Sequence, residues 1–403
     1  MSVTTATTQD DLRRLNLARI LRFVHVSGPV SRSDLVGATG MNRSTIGVLV
    51  NELAEAGLVA EVAGAAGGVG RPSLVAEPVP SGALVLACEV KVEATETALV
   101  GLGGTVFTRR TDTHAADGID PAEAVEVIAQ AAEALLGEAT GTLVGLAVSI
   151  PGVIDPDDGQ VLVAPNLGWR DVPLGTLLVD RMTVPGQRVP QIAVGNDADL
   201  GALAEHVRGS GRGVRSLIYL SGEVGIGGGI VLDGSLMTGL GGFGGEVGHM
   251  VVNPGGLLCR CGTRGCWETE IGRDAVLRAA GLSDEVGDVL QVVRAAESGN
   301  VKAREGLRHV GEWLGLGLGN LVNIFNPEVI VLGGHLRYLL PQVSEAVLGR
   351  VDQTLAAMRD DVQLVTPALE GDSTLLGAAE RAFAPLLSDP LGVLQMTAAR
   401  EAS

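Results

Sequence analysis

Cys259, Cys261 and Cys266 fall within eight positions of a 403-residue chain whose one other cysteine is Cys88, and His249 stands ten residues ahead of the first. Three thiolates and an imidazole are a donor set suited to tetrahedral Zn2+, and a site closed by four protein ligands is structural. The first pair is spaced C-x-C, tighter than the usual C-x2–4-C, so free thiols or a redox pair are open readings of the same residues. So few cysteines make no disulfide framework, and a reducing compartment points to metal or redox use. Cys88 sits alone in an apolar run and reads as a small buried hydrophobe.

Such a cluster needs elements to hold it. The length allows two or three domains, since single cores stop growing near ~250–300 residues. Neither a signal-peptide pattern nor an apolar run of ~20 residues is present, so the expectation is a cytoplasmic protein without a membrane partner. Only two lysines occur, Lys91 and Lys302, and aromatics are scarce, a compositional bias that carries no functional message. The net charge of −18 argues against nucleic acid, whose phosphates repel an acidic surface. The distribution of charge removes that objection for one end, because residues 1–76 hold seven arginines against six acids, a balance of +1 that leaves −19 on the remainder.

Within that basic end, Leu15, Ile20, Leu21 and Val24 make an apolar helical stripe stopped by Gly28 and Pro29. Ser31 with Asp34 forms a capping box for a short second helix ending at Gly40, and Asn42 can cap a third whose Ile46, Leu49, Val50 and Leu53 face inward. Two short β-prone runs around a Gly-rich tip follow. The pattern predicts a winged helix-turn-helix that presents Asn42, Arg43, Ser44, Thr45 and Gly47 to the major groove, with Arg71 of the wing entering a narrow minor groove. A small helical interaction domain is the plainer alternative.

From Ser81 the pattern becomes α/β, with strand-like runs "ALVLACEV", "TALVGL" and "TLVGLAVSI", a helix from Pro121, a long helix over 302–325 and a last helix in "STLLGAAERAFAPLL". "GGFGGEVGHMVVNPGGLLCRCGTRGCWETE" resembles the signature of the ROK family (repressors, open reading frames and sugar kinases), G-E-x-G-H followed by C-x-C-G-x-x-G-C-x-E. "PGVID", "APNLGW", "GNDADLGALAE", "GIGGGIVLDG" and "NPEVIVLGG" are similar to further family segments, so the likeness covers nearly the whole chain. With a winged N-terminus, it is most similar to the repressor branch that includes xylose and N-acetylglucosamine regulators.

The resemblance implies two actin-like or hexokinase-like α/β lobes with sugar in the cleft. The expected division is a winged helix-turn-helix over 1–80; a first lobe over 81–196, with helix 374–387 packing back on it; a second lobe over 197–373 carrying the zinc motif and a dimerisation surface; and a tail over 388–403. It places Asn166, Asn196, Asp197, Glu246, His249 and Glu268 on the sugar, with Asp197 at the position of the kinase general base, and His249, Cys259, Cys261 and Cys266 on Zn2+. Carboxylates, amides and an imidazole are the groups that satisfy a ring of hydroxyls, each both donor and acceptor. His249 can give one ring nitrogen to the metal and the other to the ligand.

Family kinases cradle phosphate in a D-x-G-G-T turn, where this chain has Glu89, Val90, Lys91, Val92 and Glu93, and in G-T-G-I-G-G-G, where it has Glu223-Val224-Gly225-Ile226-Gly227-Gly228-Gly229. Bulk at the backbone approach and added carboxylates oppose triphosphate binding. The expectation is therefore a non-enzymatic, sugar-responsive transcriptional repressor that binds a palindromic operator as a homodimer or tetramer, with a monosaccharide or amino-sugar effector and structural zinc. The alternatives are an ATP-dependent sugar kinase with a DNA-binding head, and a regulator controlled by a partner protein.

Overall fold

A computed structural model describes residues 8–63, 74–115, 118–137, 139–184, 187–188, 191–282, 287–353, 355 and 362–401. Local capping sets the first elements. Thr8 and Asp11 exchange reciprocal bonds at the start of α1 (Gln9–Ser27), and Ser31 and Asp34 do the same for α2 (Arg32–Thr39), which ends on Gly40 at φ 73°. Asn42 then accepts from the Thr45 N–H at 2.8 Å and opens α3 (Arg43–Glu55). Each cap satisfies helix donors that have no intrahelical partner. Leu17, Ile20, Leu21 and Val24 of α1 are buried, as are Ile46, Leu49, Val50 and Leu53 of α3. Strands Val59–Ala63 and Leu74–Pro78 pair antiparallel, and Val30–Ser31 joins the second, completing the winged helix-turn-helix expected here. The wing tip, with Arg71, lies outside the described residues.

The chain divides into two compact units, neither continuous in sequence: 1–148 with 173–194 and 378–403, and 149–172 with 195–377. In the first, a five-stranded sheet runs in the order Ile192–Asn196, Leu143–Ile150, Leu84–Val90, Ala94–Gly101, Thr105–Thr113, with the last three strands antiparallel. Helix α4 (Pro121–Leu136), started by Pro121 and capped by Asp120, lies on this sheet through Ala124, Ile128 and Ala132. Cys88 is fully buried in its strand, and loss of hydration pushes its thiol up to about 12, fitting the small apolar role expected of it.

The second unit has its own five-stranded sheet, ordered Ser235–Leu236, Ile226–Leu232, Leu217–Gly222, Val329–Gly334, Gln363–Val365. Helix α5 (Asp197–Val207) crosses the glycine-rich strand, and that crossing explains the glycines: a Cβ on Gly229 would meet the Ala198 carbonyl oxygen at 2.2 Å, and one on Gly228 the Val247 side chain at 2.4 Å. Helices α6 (Val301–Phe325) and α7 (Leu336–Val351) pack side by side on the same core. The expected 302–325 helix is thus present with one more residue, capped by Asn300.

Helix α8 (Ser373–Ser388) carries the chain back to the first unit. Residues 388–403, expected as a tail, instead form α9 over Pro390–Glu401, because Val393 and Thr397, one helical turn apart, are buried where α9 meets α1. At this junction His25 of α1 is fully buried: its Nδ1 accepts from the Gly103 N–H at 3.0 Å, its Nε2 lies 3.2 Å from the Glu380 carboxylate of α8, and Phe383 meets its ring edge-on at 5.0 Å. The acceptor role of Nδ1 places the ring hydrogen on Nε2, facing the carboxylate.

Candidate functional site

The loop after His249 is folded on itself by the bridges Val251↔Cys266 and Leu258↔Arg264 and by the Cys259 N–H to Thr263 carbonyl bond of 2.8 Å. Gly265, at φ 74°, runs so close to Asn253 that a Cβ would lie 1.6 Å from its carbonyl oxygen, so this turn requires glycine. Trp267 anchors the loop: its ring is fully buried, its Nε1 donates to the Trp313 carbonyl at 2.9 Å, and α6 admits it at Gly317, where a Cβ would come within 2.1 Å of the indole.

This fold draws one ligand atom each from His249, Cys259, Cys261 and Cys266 to within 4.8 Å of one another. Cys259 Sγ lies 3.6 Å from His249 Nδ1, and Cys261 Sγ lies 3.6 Å from Cys266 Sγ. A tetrahedron with Zn–S near 2.3 Å and Zn–N near 2.0 Å has edges of about 3.5–3.8 Å. Residue types and spacing therefore fit a four-coordinate metal ion. The other ring nitrogen of His249, Nε2, faces Glu246 at 3.9 Å.

Of the polar residues singled out for sugar, Glu246 and Glu268 contact this loop directly and Asn166 does so through Arg260, while Asn196 and Asp197 stand at the start of α5. Asp197 opens α5, half-buried, with the Ala198 N–H on its Oδ1 at 2.9 Å. Asn196 caps the helix through the Asp199 N–H at 3.0 Å and reaches the Gly152 carbonyl with its amide at 3.0 Å, so one amide hydrogen and one lone pair remain for a ligand. Glu268 accepts from the Ile226 N–H at 3.0 Å through Oε2, while its Oε1 is 3.6 Å from Cys259 Sγ. Asn166 accepts from Arg260, a residue set between two metal-type cysteines, at 3.1 Å. Glu246, His249 and Glu268 thus meet at the metal loop, Asp197 acts electrostatically on the same group, and Asn166 reaches it through Arg260.

The electrostatics are one-sided. Burial pushes Asp197 up to about 7, helped by the charges of Glu223 and Glu246. Asp199 is raised to about 7 by burial, then by Asp197 and Glu246. Glu246 is raised by burial as well, with His249 opposing and Glu268 adding to the shift. Asp199 and Arg260 were not singled out from the sequence, and Glu223 was singled out only as a carboxylate opposing phosphate. The "GNDAD" spacing separates Asp197 and Asp199 by two positions, which on a helix do not face each other, and only the first-turn geometry and burial bring both carboxyls into one field.

In the head, Asn42, Arg43 and Ser44 are exposed at the start of α3, and Thr45 and Gly47 are half-buried. The Asn42 side-chain oxygen serves the helix cap and also accepts from the Ser44 hydroxyl at 2.7 Å. Gly47 lies under Arg32, whose Nη1 a Cβ would approach to 3.0 Å; Arg32 itself bridges to Glu61 of the wing at 2.6 Å. At the first phosphate-type turn, Lys91 is paired with Glu89 at 3.1 Å and Glu96 at 3.8 Å.

The family model described as ROK family matches residues 86–383. A xylose repressor of Bacillus spizizenii is 27% identical over 374 residues, covering 92% of this chain and 95% of that repressor. A glucokinase of Thermotoga maritima is 33% identical over 276 residues, covering 63% and 84%. Among solved structures, a ROK family transcriptional regulator homologous to the Escherichia coli MLC protein superposes with a TM-score of 0.78 at 25% identity, over 97% of this chain and all of that one.

Proposed function

The chain belongs to the ROK family, and from that premise we propose that it is a sugar-responsive transcriptional repressor. Its winged head would read a palindromic operator as a homodimer or a tetramer, and a monosaccharide or amino sugar would be its effector. The observation that carries this reading is the double use of His249, with Nδ1 toward the thiols and Nε2 toward Glu246, in a chain that also bears a winged helix-turn-helix. Likeness to a xylose repressor along 92% of the chain supports it.

Arg43 and the exposed side chains beside it would contact base edges, and Arg71 would enter the minor groove. Asn166, Asn196, Asp197, Glu246, His249 and Glu268 would satisfy the hydroxyls of the sugar. His249, Cys259, Cys261 and Cys266 would hold structural Zn2+, which supplies a rigid node when bound and fixes the loop whose His249 and Glu268 meet the ligand. Movement of that loop is the coupling to operator binding, and it requires the effector to bind the two states with affinities differing by a few kcal/mol.

A kinase is the second reading, favoured by the likeness to glucokinases. Against it stand the Lys91 ion pairs with Glu89 and Glu96, which occupy the cation nearest the phosphate-type turn, and the close contacts of Gly228 and Gly229 with α5 and Val247, which account for that glycine run without any phosphate. The deciding experiment measures operator binding and Mg-ATP-dependent phosphorylation over one sugar panel. A sugar that shifts operator affinity without being phosphorylated supports the repressor. Turnover lost in Asp197→Asn would establish the kinase instead.

A further inference from the structure

Helix α3 carries two opposite rows of side chains. Ile46, Leu49, Val50 and Leu53 are buried in the head, and the row directly across from them, Ser44, Val48, Asn51 and Glu55, is exposed. Ser44, Asn51 and Glu55 are polar. Val48 is not, and it is 64% exposed. Helix formation does not account for a valine there, because a β-branched side chain is a poorer helix former than Ala, Arg, Gln or Glu. Folding of the head does not account for it either, since α3 packs on its core through the opposite row.

The neighbours of Val48 are held by bonds within the head. Arg32, from the start of α2, passes over Gly47, where a Cβ would approach its Nη1 to 3.0 Å. Its Nε donates to Glu61 of the wing strand at 2.6 Å, and its Nη2 donates to Asn51 Oδ1 at 3.2 Å. One turn before Val48, the Ser44 hydroxyl donates to the Asn42 cap at 2.7 Å. Gly47 therefore serves as the floor for an arginine, and Val48 is the apolar projection between two positioned polar side chains. A recognition helix enters the major groove by its N-terminal part and reaches base edges with residues three and four apart. Ser44 and Val48 have that spacing and lie in the first two turns of α3.

We propose that Val48 reads the 5-methyl group of a thymine in the operator. The inference rests on reading α3 as the base-reading helix. The major groove presents hydrogen-bonding groups on every base pair and one methyl group, that of thymine. An isopropyl group pressed against any other edge takes water from a polar atom and returns no partner. Against the methyl, both groups withdraw apolar surface from water. DNA is favoured over a protein partner because Arg43 is exposed on the first turn of the same helix, and because residues 1–76 balance at +1 while the remainder carries −19.

The test begins with selection of an operator from a random duplex library by the full-length, zinc-loaded protein. Each thymine of the enriched sequence is then replaced in turn by uracil, which removes the methyl and keeps the hydrogen-bonding edge. Gel-shift titration should find one thymine per half-site whose replacement weakens binding fivefold or more, equivalent to about 1 kcal/mol. In Val48→Ala the same replacement should change affinity by less than twofold, with melting curves verifying that the variant folds. An enriched operator that tolerates uracil at every thymine overturns the inference and leaves the head standing as a DNA reader. A uracil penalty of equal size in the wild type and Val48→Ala also overturns it. If that penalty persists in Val48→Ala while self-association falls in sedimentation, the valine belongs to a protein contact instead. Failure of any sequence to enrich overturns both readings.

Discussion

Asp199 makes the acid–base behaviour of the molecule testable without any ligand. Its carboxyl is pushed up to about 7 in the folded chain, against an ordinary value of 3.8, first by burial and then by Asp197 and Glu246. Because the folded state holds this proton and the unfolded chain releases it, stability is unaffected below about pH 4, falls as pH rises from there to about 7, and is level above. A tenfold change in proton affinity between the two states corresponds to about 1.4 kcal/mol, so a change of roughly a thousandfold sets a ceiling of about 4 kcal/mol. Asp197 titrates in the same field and shares the effect, which brings the contribution of Asp199 to about 1–3 kcal/mol. Asp199→Asn removes the titrating group and offers an amide donor to the neighbouring carboxylates. The variant should therefore match the wild type near pH 4 and exceed it by about 1–3 kcal/mol at pH 8. Urea unfolding of both proteins at half-unit steps from pH 4 to 8 measures the difference. Parallel pH profiles, or a variant less stable than the wild type at pH 8, would refute the account of this carboxyl.

Four further outcomes are expected. His25→Ala removes the acceptor of the Gly103 N–H, the Nε2 partner of Glu380 and the edge contact with Phe383; urea unfolding should register a loss of about 3–5 kcal/mol, with partial recovery in His25→Asn, whose amide oxygen can replace Nδ1. Cys266→Ser should release zinc to a chromogenic chelator at concentrations that leave the wild type loaded, and should weaken sugar binding at least tenfold in calorimetry because His249 and Glu268 lose their support. Gly229→Ala drives a Cβ to 2.2 Å from the Ala198 carbonyl and should cost about 3 kcal/mol by denaturant titration. Arg43→Ala should reduce discrimination between the preferred operator and single-base mismatches by about 1–3 kcal/mol at one position, read by competition gel shifts.

What the sequence disclosed was mostly local. The Ser31–Asp34 box, the Asn42 cap, the Pro121 helix start and the Gly40 stop depend on neighbours three or four residues away, and each stands where the spacing put it. The metal-type cluster was legible for the same reason, its ligands lying within one short loop. The long-range decisions were hidden. Nothing in the polar stretch beyond 388 announces that Val393 and Thr397 meet α1, and Glu380 reads as an ordinary exposed helix acid until it is seen 3.2 Å from a histidine 355 residues away. The glycines of "GIGGG" pointed toward phosphate by pattern, whereas the packing of α5 and Val247 against them is enough to require them. The sugar residues came from likeness to a family, and their spacing alone does not reveal that Asp197 and Asp199 share a field made by other carboxylates.

The seat of His25 has a consequence for how the protein is made. Its partner Glu380 is translated 355 residues later, roughly 20–70 s at ordinary elongation rates of ~5–20 residues per second. Throughout that interval the winged head has its three helices and the Gly103 half of the seat, while the half supplied by Glu380 and Phe383 is missing, so a prematurely terminated product would keep α3 and lose the contacts that complete the dock. If the chain is the repressor proposed, late completion of this seat makes truncated copies candidates for operator occupancy without control.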